Sequence, residues 1–181
     1  MSRYTGHWWG PDSRYLAYTR VDESTVDIIP RFDISANDVT VIEQRYPRAG
    51  RPNAIVDLHV LDIETGEITE VTSVGPDTYL ARVNWLGRAL NVQTVNRDQT
   101  EILWTTHPFE MGLLPHFPPE HQDNWVNLSD DFYPLDDTSL LTTRETIGYR
   151  HIVHLANGVE TPVTTGDWVV SHIAGVDLGS N

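Results

Sequence analysis

This sequence predicts an all-β chain built from repeated antiparallel units, and three observations carry that expectation. A plan of apolar or aromatic strand, polar turn and second strand appears from Trp8 to Tyr18. It returns at Trp85 to Leu90, at Tyr133 to Leu141 and at Val176 to Asn181. The turns fall near positions 11, 86, 135 and 178. Once residues 28–54 are set aside as an insertion, the period is roughly 40 to 50 residues, the signature of propeller blades. Composition agrees, because Thr and Val are abundant and six Trp and seven Tyr supply side chains that suit sheets. Turn chemistry agrees as well: Asn157-Gly158 between two apolar runs is the strongest hairpin signal in the chain. The expectation is a truncated β-propeller over residues 1–181, with about three four-stranded blades. The fourth copy of the plan stops at its turn.

The elements follow in order. Trp8-Trp9 leads into the Gly10-Pro11-Asp12-Ser13 turn, and Tyr15 to Arg20 alternates as a second strand. Asp57 to Ile63 alternates as a third, Glu64-Thr65-Gly66-Glu67 turns the chain, and Ile68 to Thr72 returns as the fourth. The second blade spans Leu80 to about His107, with turns at Leu86-Gly87-Arg88 and Asn96-Arg97-Asp98-Gln99. The third takes Phe132 to Thr164, turning at Asp136-Asp137, Thr146-Ile147-Gly148 and Asn157-Gly158. Two segments break the rhythm. Residues 28–54 interrupt the first blade as an arm, and the Pro-rich residues 108–124 read as a long connection between blades. Long insertions in a compact repeat are more often functional than accidental.

Charge narrows the partners. Twenty-six acids against twelve bases give a net charge of −14, and every base is Arg. Such a surface repels phosphate backbones, so no nucleic-acid partner is expected, while cationic ligands are favoured by long-range steering. Solubility alone also accounts for the excess of acids. No run approaches the roughly 18 apolar residues of a membrane span, and the first ten residues have no signal-peptide pattern. The absence of cysteine excludes disulfides and thiolate sites.

A set of motifs in a fixed order then makes the chain familiar. These are Trp8-Trp9-Gly10-Pro11-Asp12-Ser13 with Leu16-Ala17-Tyr18, Arg20-Val21-Asp22-Glu23-Ser24, and Gln44-Arg45-Tyr46-Pro47-Arg48-Ala49-Gly50-Arg51-Pro52-Asn53. Asn96-Arg97-Asp98-Gln99, Trp125-Val126-Asn127-Leu128, Gly148-Tyr149-Arg150-His151-Ile152 and Thr165-Gly166-Asp167-Trp168 follow. Through them the chain resembles, nearly end to end, the amino-terminal β-propeller of the dipeptidyl peptidase IV subfamily. That subfamily belongs to the prolyl oligopeptidase (S9) family of serine peptidases. The Tyr-Pro-Arg-Ala-Gly stretch is the most specific of the motifs, and the Trp-x-Pro-Asp turn the least.

The resemblance implies an enzyme that removes dipeptides from peptides with a free amino terminus, preferring Pro or Ala second, through a Ser-His-Asp triad on an α/β-hydrolase domain. That domain's Gly-x-Ser-x-Gly elbow is not found in this chain, whose Ser129, Ser139 and Ser171 lack flanking glycines. No catalytic residue is therefore expected here. The family grips the substrate ammonium with adjacent glutamates placed before the segment matching Met1 to Gly6, and Glu23 beside Asp22 is a weak substitute at a strand end. The resemblance further implies a pocket rim at Trp125, Asn127 and Leu128, where relatives carry Arg and Phe just beyond Trp-Val. Against that stands Trp125 as a blade-packing aromatic. It also implies a homodimer held by the arm through Val39, Val41, Ile42 and Tyr46, and a periplasmic or secreted location. No cofactor and no metal are expected. His116, Glu120 and His121 lack zinc spacing, His151 and His154 point to opposite strand faces, and Asp130, Asp131, Asp136 and Asp137 lack a calcium-loop pattern. A shortened propeller serving as a protein-binding or oligomerisation module is the alternative from a different class.

Overall fold

A computed structural model describes residues 6–75, 77–110 and 114–179. Its fourteen strands form three four-stranded antiparallel sheets and one two-stranded arm. In the first sheet the order is β1 (His7–Trp9), β2 (Tyr15–Asp22), β5 (Ile55–Asp62) and β6 (Ile68–Val74). The second places β7 (Thr78–Leu86), β8 (Ala89–Asn96), β9 (Glu101–Pro108) and β10 (Glu120–His121) side by side. The third consists of β11 (Tyr133–Pro134), β12 (Ser139–Arg144), β13 (His151–Ala156) and β14 (Val159–Pro162). The last strands of the first two sheets, β6 and β10, lead into the first strands of the next, β7 and β11, the connectivity of successive propeller blades.

Local chemistry sets the turns. Asp62 accepts the amides of Glu64 and Thr65 on its Oδ1, and Gly66 closes the turn at φ +74°. At the tip of β13 and β14, Asn157 and Gly158 both take positive φ, 52° and 79°, as the two central residues of a type I′ turn do. The arm comprises β3 (Ile28–Ile34) and β4 (Val39–Arg45), which leave the first sheet between β2 and β5.

The sheets pack face to face. Tyr15, Ala17, Leu58, Val60 and Val74 of the first meet Leu80, Val83, Leu90 and Val92 of the second. The ring of Tyr15 stacks on Trp85 at 6.2 Å, and Trp85 Nε1 donates to the Trp8 carbonyl at 3.2 Å. The second and third sheets share Leu86, Phe117, Leu140, Val153 and Leu155, against which Trp104 and Phe132 lean.

The segment 108–124 differs from expectation. It is not only a connection between blades, because Glu120 and His121 return to pair with Ile102 and Glu101 as the outer strand of the second sheet. On the way Phe117 is buried between the sheets, and the His116 carbonyl accepts the Gly158 amide at 2.8 Å. A strand of two residues directly after Pro118-Pro119 leaves no alternation to read. The last turn motif, from Val176, holds a Gly179 amide to Asp177 Oδ1 bond of 2.8 Å, and its final two residues lie outside the described residues.

Candidate functional site

Most of the family motifs converge on one end of the sheet stack. That end gathers the root of the arm, the β8–β9 turn, residues 122–131, the β12–β13 turn and residues 163–173. Hydrogen bonds tie these loops to one another. Arg97 Nη2 donates to the Arg51 carbonyl at 2.7 Å, and Asn53 Nδ2 donates to Tyr79 Oη at 3.1 Å. In the β8–β9 turn, Asn96 Oδ1 accepts the amides of Thr100 and Glu101 at 2.8 and 3.0 Å. Gln99 is thereby held at φ +56°, a conformation disfavoured for a residue with a side chain, and its carbonyl accepts the Val126 amide at 2.8 Å.

That last bond places the expected rim. Val126 is buried beside Ala81, Val95 and Ile102, with Leu128 leaning on the same cluster. Trp125 next to it is 53% exposed, so it does not pack inside a blade. Asn127 is exposed, but its Nδ2 donates to Glu145 Oε2 at 2.8 Å. Glu145 also pairs with Arg150 at 3.4 Å, and its carbonyl accepts Gln122 Nε2 at 3.2 Å. Residues 125–128 therefore present an exposed indole and a tethered amide, with Leu128 behind them.

Next to the rim, His151 is fully buried, with Nε2 2.8 Å from the Gly166 carbonyl and Nδ1 3.1 Å from Thr164 Oγ1. The Gly166 carbonyl can only accept, so Nε2 donates to it, and Thr164 Oγ1 links Nδ1 to the Ile152 amide, which it also accepts. Trp168 meets this ring edge-on at 4.9 Å. The histidine is therefore a pin between Gly148–Ile152 and Thr165–Trp168.

At the arm's root, Asp27 accepts Arg51 Nε at 2.8 Å and Arg48 Nη2 at 3.0 Å. The two guanidiniums, Arg51 more than Arg48, lower its carboxyl pKa to about 2. Arg45 Nη1 donates to the Val26 carbonyl at 2.8 Å, and the Tyr46 amide to the Asp27 carbonyl at 3.0 Å. Beyond this clamp the arm projects with its apolar residues uncovered. Register puts Phe32 opposite Val41 and Ile34 opposite Val39 on one face, all four more than half exposed. Ile42 lies opposite Arg31 on the other face, and Tyr46 follows the end of the strand, exposed. Sequence reasoning missed Phe32 and Ile34, although the period-two run Ile28, Pro30, Phe32, Ile34 carries the signal.

The remaining candidates sit in local hydrogen bonds or stand exposed. Ser129 and Thr143 hydroxyls lie 2.7 Å apart beside Asp131, and Ser139 Oγ donates to Asp136. Ser171 Oγ and His172 Nδ1 are exposed chain neighbours at 3.1 Å. Glu23 stands exposed after the end of β2. Among the described residues no three His, Asp or Glu side chains gather as metal ligands, and no helix is long and apolar enough to cross a membrane.

This arrangement is that of a propeller, in which successive antiparallel blades bring several turn motifs together at one end. The chain belongs to the family described as "Dipeptidyl peptidase IV (DPP IV) N-terminal region", which it matches over residues 1–181. A "Probable dipeptidyl-aminopeptidase B" of Talaromyces marneffei is 30% identical over 96% of this chain and 23% of its own length. A protein of the same description from Botryotinia fuckeliana is 28% identical over 96% of this chain and 23% of its own. Among solved structures, a dipeptidyl aminopeptidase IV from Bacteroides ovatus superposes with a TM-score of 0.76 at 26% identity, covering 96% of this chain and 28% of that one. Porphyromonas gingivalis dipeptidyl peptidase 4 superposes with a TM-score of 0.77 at 24% identity, covering 94% and 26%. The chain spans about a quarter of the length of these relatives. Its fold is accordingly all-β and made of propeller blades.

Proposed function

We propose that this chain is the propeller portion of a serine exopeptidase that releases Xaa-Pro and Xaa-Ala dipeptides from free amino termini. The hydrolytic step belongs to a hydrolase domain outside these residues, and the blades contribute a rim that gates and positions the peptide. The observation that carries this reading is the joint placement of Trp125 and Val126. Val126 is locked into the blade while Trp125 projects at the end where the motif loops meet. An exposed indole held on a rigid support suits contact with the ring of a prolyl residue or with peptide backbone. The acidic charge favours a cationic amino terminus over an acylated one. The arm supplies a dimer contact through the face of Phe32, Ile34, Val39 and Val41, two copies of which can pair about a two-fold axis.

The test is steady-state hydrolysis of Gly-Pro and Ala-Pro chromogenic amides by the whole protein, with N-acetylated versions as controls. Turnover confined to the free amines supports the reading; equal turnover of the acetylated amides contradicts it. A second reading, a propeller acting as an oligomerisation or protein-binding module, draws on the uncovered arm face alone. It predicts assembly without turnover.

A further inference from the structure

The seam between the second and third sheets encloses charge. The Arg144 side chain on β12 is 1% exposed and lies over the Trp104 ring, 5.4 Å from its centroid. Its Nη1 donates to Glu160 Oε2 on β14 at 2.9 Å, and its Nη2 to the Pro118 carbonyl at 2.8 Å. Glu160 also accepts the Thr146 hydroxyl. The second carboxylate of the group, Glu120 on β10, is 4% exposed and less well served. Its Oε2 is 3.7 Å from Arg144 Nε, too far for a hydrogen bond, and its Oε1 takes the Glu145 amide at 3.4 Å. Arg144 Nε itself is buried without a hydrogen-bond partner. The neighbouring His121 points outward, 63% exposed, with Asp123 at 3.8 Å. Glu120 thus faces one cation, Arg144, and two like charges, Glu160 on β14 and Glu145 beyond β12.

Glu120 also begins the stretch that carries the rim. After the two residues of β10, that stretch is held by the Gln122 amide on the Thr100 carbonyl and by the Val126 amide on Gln99. Two of its side-chain hydrogen bonds meet on one residue: Gln122 Nε2 and Asn127 Nδ2 both end on Glu145, whose amide points at Glu120. One enclosed carboxyl therefore sits where edge strand, rim and neighbouring blade meet.

We propose that Glu120 is a positioning residue for the rim Trp125–Leu128, and that taking up a proton from solvent tightens the rim while losing it loosens the rim. The rim's contact with substrate rests on the function proposed above; the coupling of Glu120 to the rim does not. A neutral Glu120 no longer repels Glu160 and Glu145, keeps an oxygen for the Glu145 amide, and leaves Arg144 to Glu160 and Pro118. An ionised Glu120 must be hydrated or drawn towards Arg144, and either movement disturbs β10. Burial first, then the nearby carboxylates, raises the Glu120 pKa above its ordinary 4.5, with Arg144 and the Glu145 amide opposing. The sign follows. Because the folded seam holds the proton more tightly than the unfolded chain, the stabilisation is complete in acid and is lost as pH rises through the raised value.

The experiment is hydrogen exchange of the whole protein across residues 120–128, corrected for intrinsic rates, from about pH 4, below the ordinary glutamate value, to about pH 8. Exchange should quicken as pH rises, by about tenfold for each unit by which the seam raises the group. Glu120→Gln, an uncharged isostere, should stay slow throughout. Glu160→Gln removes a repulsive charge and frees Arg144, so the midpoint should move down, and this variant decides the matter should Glu120→Gln fail to fold. A flat wild-type profile, or the same rise in Glu120→Gln, overturns the coupling. In the same preparations KM for a Gly-Pro amide should rise with pH in the wild type and not in Glu120→Gln, with kcat following the same course in both. Exchange that titrates while KM does not overturns the positioning role. Absence of peptidase activity altogether defeats the proposed function and leaves exchange to decide the coupling.

Discussion

The guanidinium of Arg51 forks onto both carboxylate oxygens of Asp27, at 2.8 and 3.1 Å, and so fastens the end of the arm to its beginning. Arg48 adds a further donor to the same carboxylate. In sequence terms the Tyr-Pro-Arg-Ala-Gly-Arg stretch clasps the residue just before β3. Packing contributes little at this place, since most of the arm's residues are exposed. The clasp is what orients the hairpin relative to the blade.

Arg51→Ala should therefore speed proteolytic nicking within residues 46–54 while the blades' circular dichroism is kept. The Asp27 pKa is lowered to about 2 from 3.8, so the clasp is complete above the ordinary value and is lost as pH falls through the lowered one. Nicking rates should accordingly show no titration of this group above about pH 4, beyond the unfolded carboxyl range. Unaltered nicking in Arg51→Ala would place the arm's restraint elsewhere.

The two histidines of β13 offer an internal comparison, because His151 is fully buried and hydrogen-bonded at both ring nitrogens while His154 is partly exposed on the other face. His151→Ala leaves a cavity and strands the Gly166 carbonyl, at a cost of about 2–4 kcal/mol. His154→Ala should cost below about 1 kcal/mol, as most exposed substitutions do. Denaturant unfolding of the two variants checks this, and equal losses would contradict the pinning role of His151.

The arm's two faces make a similar pair. Phe32→Asp places a charge on the face shared with Ile34, Val39 and Val41, whereas Ile42→Asp places one beside Arg31. Light scattering of the whole protein should show a dimer lost in Phe32→Asp and kept in Ile42→Asp. A dimer that survives Phe32→Asp and dissociates with Ile42→Asp reverses the assignment of faces. A dimer indifferent to both removes the arm from the interface.

Much of this architecture can be read from the chain because its elements obey short-range rules. β2, β5, β8 and β13 alternate or run apolar between Gly and Asn turns, and those signals need no partner to be recognised. β10 escapes because its pairing, not its composition, makes it a strand: two residues after two prolines take the free edge of β9. The arm's apolar face is only half visible, since Val39 and Val41 announce themselves, whereas Ile42 falls on the opposite face once the pairing with Arg31 is known. The rim shows the same limit. Trp125 and Val126 are both apolar neighbours, and only the Gln99 carbonyl decides which of them is buried. The Glu120, Arg144 and Glu160 cluster leaves no local trace, because three separate strands bring it together.

Trp125 gives the most direct test of the claim that this end of the blades meets the substrate. In the whole protein, Trp125→Ala removes a side chain that is 53% exposed, so the unfolding midpoint should stay within about 0.5 kcal/mol of wild type. Val126→Ala, which empties a buried position, should cost about 1–3 kcal/mol. Hydrolysis of a Gly-Pro amide should then separate them. Trp125→Ala is expected to lower kcat/KM by about tenfold, equivalent to about 1.4 kcal/mol of lost contact, with the change mainly in KM. An unchanged kcat/KM in a fully folded Trp125→Ala protein would contradict the account and leave the indole without a part in binding peptide.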